Sequence, residues 1–329
     1  MTEISIEASI LDLTGGSAVK GQEAIQSLWS GYGSITRYFL AGEAVKSVVV
    51  KHINPLVKDA HPSGWNTDRS HQRKLKSYEV ESLWYQQYNS RCDDSCRSPR
   101  FLGIKQSGQE TLLVLEDLFA SGFDQVKQKV TMEEVEACVN WLAHFHGTFM
   151  GETPEGLWSS GTYWHLQTRP DELQAMAKGP LKLAADAIDQ RLNQSRFQTI
   201  VHGDAKLANF CFDAVAPKVA AVDFQYVGGG CGMKDLAYFI GSCFDARLCE
   251  QYEDRILNLY FSSLEQRLQS LGKLSSFARI EEEWRSLYPF AWADFHRFLL
   301  GWKPGHWKIN TYSEKLVNQV LEQLGYGTQ

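Results

Sequence analysis

Residues 199–225 read TIVHGDAKLANFCFDAVAPKVAAVDFQ, and their spacing decides the reading of the whole chain. Thr199-Ile200-Val201 is short, apolar and β-branched, the composition of a buried strand. His202-Gly203-Asp204 follows, then Lys206 and Asn209. Phe210-Cys211-Phe212 reads as a second strand, 213–217 as a turn, and 218–222 as a returning strand that delivers Asp223. Phosphoryl transfer depends on positioning and electrostatics. It needs a carboxylate to orient the attacking hydroxyl, and hard oxygen donors to hold magnesium against the phosphates. Asp204 is the candidate base, Asn209 and Asp223 the candidate metal ligands, and Lys206 a cation for the moving phosphoryl group. A hairpin with incidental acids is the competing reading. It accounts for any one of these residues but not for HGDxKxxxN and VDFQ together at hairpin spacing.

The pattern resembles the protein-kinase-like small-molecule phosphotransferases, and within them the aminoglycoside phosphotransferase, choline kinase and ecdysteroid-kinase-like group. HGD stands where protein kinases have HRD, DFQ where they have DFG, and 113–118, LVLEDL, looks like the ecdysteroid-kinase-like interlobe hinge. The resemblance implies an α+β bilobal protein-kinase-like fold: a small antiparallel-sheet lobe over residues 1–118 that binds the nucleotide, and a larger, mostly helical lobe over 119–329 that carries catalysis and the acceptor. It implies ATP and Mg2+ as cofactors, Asp204 as the catalytic Asp, and Asn209 and Asp223 as magnesium ligands. Asp235, in KDLAYF, matches the Asp that braces the catalytic loop through its backbone. Its plainer role is that of an acid favoured at a helix N-terminus.

In the first half, 46–53, KSVVVKHI, is a strand with Lys51 inside its apolar run. An edge-strand lysine that discourages aggregation would look the same. The resemblance instead gives Lys51 the nucleotide phosphates and a glutamate on the next helix, 70–90. Glu81, just before Trp84-Tyr85, is favoured over Glu79. Gly31 and Gly33, in SGYGS at 30–34, could let the backbone approach phosphates, or simply form a hairpin turn. A strand at 35–40 and a tight turn at 41–43 follow. Glu110–Glu116 closes a five-stranded sheet, so that backbone groups near Glu116 and Leu118 face the adenine. The polar stretch 55–73 reads as an exposed loop.

After the hinge, 131–150 is a helix capped by Thr131 with Glu134 three residues on, and its His144 and His146 read as packing or capping residues. Residues 151–196 read as a helical insertion. An apolar stripe runs through 248–271. The segment 284–307 holds four tryptophans with Asp294 and His296. It reads either as helical core or as an aromatic wall whose acid, Asp294, contacts a cationic acceptor.

The chain has 329 residues, 43% of them apolar, enough for two cores and against wholesale disorder. No run approaches a membrane span, and MTEISIEASILDL lacks the basic start of a signal peptide. Seven scattered cysteines suit free thiols in the cytoplasm, and Cys92 and Cys96 lack the second pair a zinc site needs. A net charge of −6 argues against nucleic acid and suits a neutral or cationic small-molecule acceptor. Asp223 and Asp235 are too close for the peptide-docking segment of a protein kinase. A non-catalytic nucleotide binder is disfavoured because Lys51, Asp204, Asn209 and Asp223 all persist together.

Overall fold

The computed structural model describes residues 4–28, 31–42, 45–55 and 68–327. Ser30 of the glycine loop, Glu43 of the tight turn and 56–67 of the polar stretch lie outside them. Helix α1 (Ile6–Thr14) precedes strands β1 (Ala18–Ser27), β2 (Gly33–Ala41) and β3 (Ser47–Ile53); helix α2 (Asp68–Gln87) then precedes β4 (Phe101–Ser107) and β5 (Glu110–Glu116). Among the described residues these strands form one antiparallel sheet in the order β1-β2-β3-β5-β4. β3 is therefore an interior strand, and Lys51 has no edge to protect.

Period-two alternation gives the sheet two different faces. Tyr38 and Leu40 of β2, Val48 and Val50 of β3, and Leu112 and Val114 of β5 form a small core with Ile10 of α1. The alternate residues Ile35, Arg37, Val49, Lys51 and Leu115 turn to a cavity on the other side. Gly33 lies at φ 139°, and a Cβ there would stand 1.9 Å from the His52 carbonyl oxygen, so β2 can start against β3 only with glycine.

The second lobe is mostly helical. A short strand β6 (Gln125–Val126) leads to α3 (Met132–Thr148), closed at its start by the reciprocal Thr131–Glu134 capping box. Residues 151–196 differ from the expected helical insertion. They hold three short α-helices, α4 (Pro170–Ala175), α5 (Pro180–Leu183) and α6 (Ala185–Asn193), and one 3-10 turn; Pro170 and Pro180 open α4 and α5, and Gly179 separates those two. Strands β7 (Thr199–Val201), β8 (Phe210–Phe212), β9 (Val219–Ala221) and β10 (Gly228–Gly230) carry the 199–225 segment and its return. Then come α7 (Met233–Cys243), α8 (Ala246–Ser270), α9 (Phe277–Trp302) and α10 (Thr311–Gln323). One continuous core joins α3, α7, α8, α9 and α10. It also takes in Val80, Trp84 and Tyr85 of α2, with Tyr88 just beyond it and Leu113 and Leu115 of β5, so α2 packs with the larger lobe although it follows the sheet's third strand in sequence. No helix among the described residues is long and apolar enough to cross a membrane.

On α9, the stripe of aromatics divides. Trp284 and Trp292 are buried in the core, whereas Trp302, with Trp307 beyond the helix, lines the cavity. Asp294 corrects the expectation of a substrate contact. It is fully buried, it lies 2.7 Å from Arg297 Nη2, and it accepts from Trp164 Nε1 at 3.0 Å, so its charge is already matched. Asp294→Ala would strand the Arg297 guanidinium in the core and lower stability by about 3–5 kcal/mol, measured by urea denaturation; an unchanged midpoint would refute this role. Burial holds the neighbouring His296 imidazole down at about 4, against about 6.5 for an exposed histidine. Between those values the unfolded chain binds a proton that the folded chain does not. Stability from this group is full above pH 6.5 and falls as pH drops toward 4, and His296→Asn should flatten that limb of the pH–stability curve.

Candidate active site

Asp235 sits in the first turn of α7, completely buried. Its carboxylate accepts from the backbone N–H of His202 at 2.6 Å and of Gly203 at 2.9 Å, and His146 Nε2 stands 3.1 Å away. Burial alone would raise this carboxyl, but His146, His202 and the Gly203 N–H together hold it below the ordinary aspartate value. Gly203 has φ 80°, and a Cβ there would stand 2.0 Å from the Tyr226 carbonyl oxygen. The loop after β7 is thus gripped from both sides.

His202 joins this loop to the next strand. Its Nδ1 accepts from the Asp204 N–H at 3.2 Å, and its Nε2 donates to the Val222 carbonyl at 3.0 Å. Those partners fix the tautomer. Because Val222 precedes Asp223, one imidazole sets the separation of the two acids. Asp223 itself has φ 70°, a left-handed conformation that favours glycine and typically costs about 1–3 kcal/mol. Phe224 holds it there, stacked on Trp84 of α2 at 4.7 Å and packed on Tyr85 and Phe145.

The same helix presents Glu81, which pairs with Lys51 at 2.5 Å, while Lys51 Nζ is 3.9 Å from Asp223. Glu79 points to solvent, near Lys76. Lys206 lies 2.8 Å from Asp204 Oδ2, Tyr238 donates to Asp204 Oδ1 at 3.1 Å, and Asn209 Nδ2 donates to Asp204 Oδ2 at 3.1 Å. Burial nevertheless raises the Asp204 carboxyl above the usual range, a shift that makes it a better base. Asp223 moves the other way. Burial opposes its charge, but Lys51, Lys206 and Lys74 hold it low, as a permanent anion.

Lys51, Glu81, Glu116, Leu118, Asp204, Lys206, Asn209 and Asp223 all line one cavity of about 1320 Å³. That exceeds the roughly 300–1,000 Å³ of a single-ligand pocket and leaves room for two reactants. Asn209 Oδ1 and Asp223 Oδ2 have no hydrogen-bond partner among the described residues. Two hard oxygen donors of this kind fit a magnesium ion shared with phosphates, which keeps most of its shell for phosphate and water. At the hinge, the Glu116 side chain is held by Arg97, Ser121 and the Arg100 N–H, and the Leu118 carbonyl accepts from Ser121 and Phe123. Asp235 supports the site from behind and does not line the cavity. Gly31 and Gly33 flank Tyr32, which does.

Several cavity residues escaped the sequence reading. Lys74 and Glu81 are seven apart on one face of α2, and that spacing was a usable signal. Lys74 donates to Gln225 Oε1 at 2.7 Å, and Gln225 Nε2 to Asp223 Oδ1 at 2.7 Å. Tyr238, three residues after Asp235 on α7, was equally legible. Tyr163, Arg169, His306 and Lys308 lie in irregular segments and gave no pattern to read, whereas Trp307 belonged to the aromatic segment already singled out.

The sequence model of the ecdysteroid kinase-like family matches residues 41–151 and 161–273. No curated protein matches the chain. Among solved structures it is similar to the microcompartment-associated aminopropanol kinase, with 13% identity and a TM-score of 0.48 over 97% of this chain and 98% of that one. It is similar to an amicoumacin kinase in complex with AMP-PNP, Ca2+ and Ami, with 11% identity and a TM-score of 0.45 over 92% and 87%. An aminoglycoside phosphotransferase from Streptomyces rimosus, in complex with ADP and streptomycin, gives 15% identity and a TM-score of 0.39 over 87% and 99%.

Asp235→Ala would leave two buried backbone N–H groups and an imidazole N–H without their acceptor, at about 1–3 kcal/mol for each group. Guanidinium unfolding should reveal a large loss; a change below about 1 kcal/mol would rule out the bracing role.

Proposed function

Because the chain belongs to the ecdysteroid kinase-like family, we propose that it is an ATP-dependent phosphotransferase that moves the γ-phosphoryl group to a hydroxyl of a small molecule. The observation that carries this reading is the convergence of the Lys51–Glu81 pair, Asp204, Asn209 and Asp223 on one cavity sized for two reactants. Residues 1–118 would form the nucleotide lobe and 119–329 the catalytic and acceptor lobe. The Leu118 N–H, which has no partner among the described residues, suits an adenine acceptor atom. The Glu116 backbone lies beside it, and Gly31 and Gly33 border the phosphates.

Asp204 orients the acceptor hydroxyl and accepts its proton as the oxygen attacks the γ-phosphorus. The bond from that phosphorus to the β,γ-bridging oxygen breaks, and ADP leaves with the electron pair. Raised by burial, the Asp204 carboxyl takes the proton more readily than an exposed aspartate would. Burial opposes the Lys206 charge, but Asp204, through its charge and hydrogen bond, together with Asp223 raises the ammonium above its ordinary value, so Lys206 stays protonated beside the base and faces the transferred group. Lys51, fixed by Glu81, meets the phosphates from the sheet. Asn209 Oδ1 and Asp223 Oδ2 would hold Mg2+, which when bound neutralises phosphate charge and aligns the leaving group. The seven free cysteines suit a reducing, cytoplasmic setting.

ADP release should first be screened across amino alcohols, aminoglycosides, sugars and sterols. On the best acceptor, Asp204→Asn should lower kcat by about 10²–10⁴ or more while leaving the ATP Kd within about twofold. Asp223→Ala should raise the Kd for ATP with magnesium by about tenfold or more. Near-normal turnover by Asp204→Asn would overturn the assignment.

A further inference from the structure

We propose that the acceptor site selects hydroxylated molecules that carry an anionic group, and that Lys308 is the residue that selects them. This rests on the phosphotransferase reading for where the acceptor sits, but the charge preference can be measured without any turnover.

Lys308 Nζ lies over three aromatic rings: Tyr238 at 4.6 Å, Phe295 at 5.4 Å and Trp307 at 5.6 Å. The same Tyr238 donates its hydroxyl to Asp204 Oδ1. One tyrosine therefore carries the ammonium on its ring and the proposed base at its tip, which puts Lys308 beside the place an acceptor hydroxyl must occupy. The residue is anchored. Its N–H donates to His306 Nδ1 at 3.2 Å, and its carbonyl accepts from Ser313 Oγ at 3.3 Å, within the cap of α10.

No carboxylate among the described residues lies within ion-pair distance of Lys308 Nζ. Asp204, the acid that pulls on it from farther off, is already paired with Lys206. The rest of this wall is also basic. Arg73 and Arg169 both line the cavity, and Glu172, paired with Arg169 at 3.0 Å, is the acid facing them. Burial, and then the Arg169 charge, push the Arg73 guanidinium down, as expected for two cations sharing one anion. Burial likewise pulls Lys308 to about 8, which leaves it mostly protonated at neutral pH.

An aromatic cage of this kind is a good site for a cation. Here the chain's own ammonium fills it. A substrate ammonium would find the rings occupied and a like charge a few ångströms away, whereas a carboxylate would supply the missing partner. The overall charge of −6 is no guide to this local field. The nucleotide's phosphates are a different anion, and they have their own cations in Lys51 and Lys74 beside Asp223.

The test uses two probes that share a ring and a hydroxyl and differ in charge: 4-(hydroxymethyl)benzoate and 4-(hydroxymethyl)benzylamine. Saturation-transfer NMR titrations in the presence of magnesium and a non-hydrolysable ATP analogue should give at least ~10-fold tighter binding of the benzoate. Lys308→Met should bring the two within about threefold, and Lys308→Arg should keep the preference. Equal responses from the wild type, including no response to either, would overturn the proposal. So would a preference that survives in Lys308→Met, or a loss of nucleotide affinity in that variant as large as the change in acceptor choice. If the charge preference holds but no ADP forms from ATP with any acceptor, the selectivity stands and the phosphotransferase reading falls.

Discussion

The site depends on a buried carboxylate that never meets a reactant. Asp235 draws the backbone N–H groups of His202 and Gly203 onto one anion and is itself held by His146, which in turn lies 2.7 Å from the Tyr260 hydroxyl on α8. A loop that must present an acid and a cation two residues apart has little secondary structure of its own to stiffen it. Its rigidity is borrowed from α3, α7 and α8 through this carboxylate, and passed on through the His202 ring to the strand that ends at Asp223. Positioning of this kind is what phosphoryl transfer demands of a protein.

The two acids that face the cavity are pushed in opposite directions by neighbours of the same sign. Asp204 has Lys206 in contact yet is raised, because burial outweighs it; Asp223 has three lysines around it and is lowered. Burial and the Asp223 charge raise Asp204 against Lys206, while Lys51, Lys206 and Lys74 lower Asp223 against burial. Beside Asp204, across the ring of Tyr238, Lys308 adds a cation with no carboxylate of its own among the described residues.

Much of this was legible where chemistry is local. The segment 199–225 places strand, loop, strand, turn and strand within a residue or so of their observed positions, because β-branched runs and the Asp213 turn dictate them locally. The family resemblance favoured Glu81 over Glu79 by its place ahead of Trp84-Tyr85, and Glu81 is the one that meets Lys51. Asp294 misled because composition cannot tell a wall from a core: Arg297, three residues on, was the warning that its charge was spent within the helix. The 151–196 segment looked helical by content, but Pro170 and Gly179-Pro180 fix where its first two short helices begin. Lys308 was invisible, since its cage is assembled from residues 238, 295 and 307, which come together only on folding.

The membership of α2 in the larger core has a mechanical consequence. Lys51 belongs to a strand whose Val48 and Val50 are packed with α1, whereas Glu81 belongs to a helix whose Trp84 and Tyr85 are packed with the helical lobe. The ion pair therefore joins two cores that also meet through β5, whose Leu112 and Val114 pack with α1 and whose Leu113 and Leu115 pack in the larger core. A tilt of the sheet about the chain near Leu118 would lengthen that contact and shift Leu113 and Leu115 in the larger core with it. Lys51 and Glu81 act as a gauge of alignment, in register only when the sheet and the helical body are set at the one angle that brings Lys51 to Asp223.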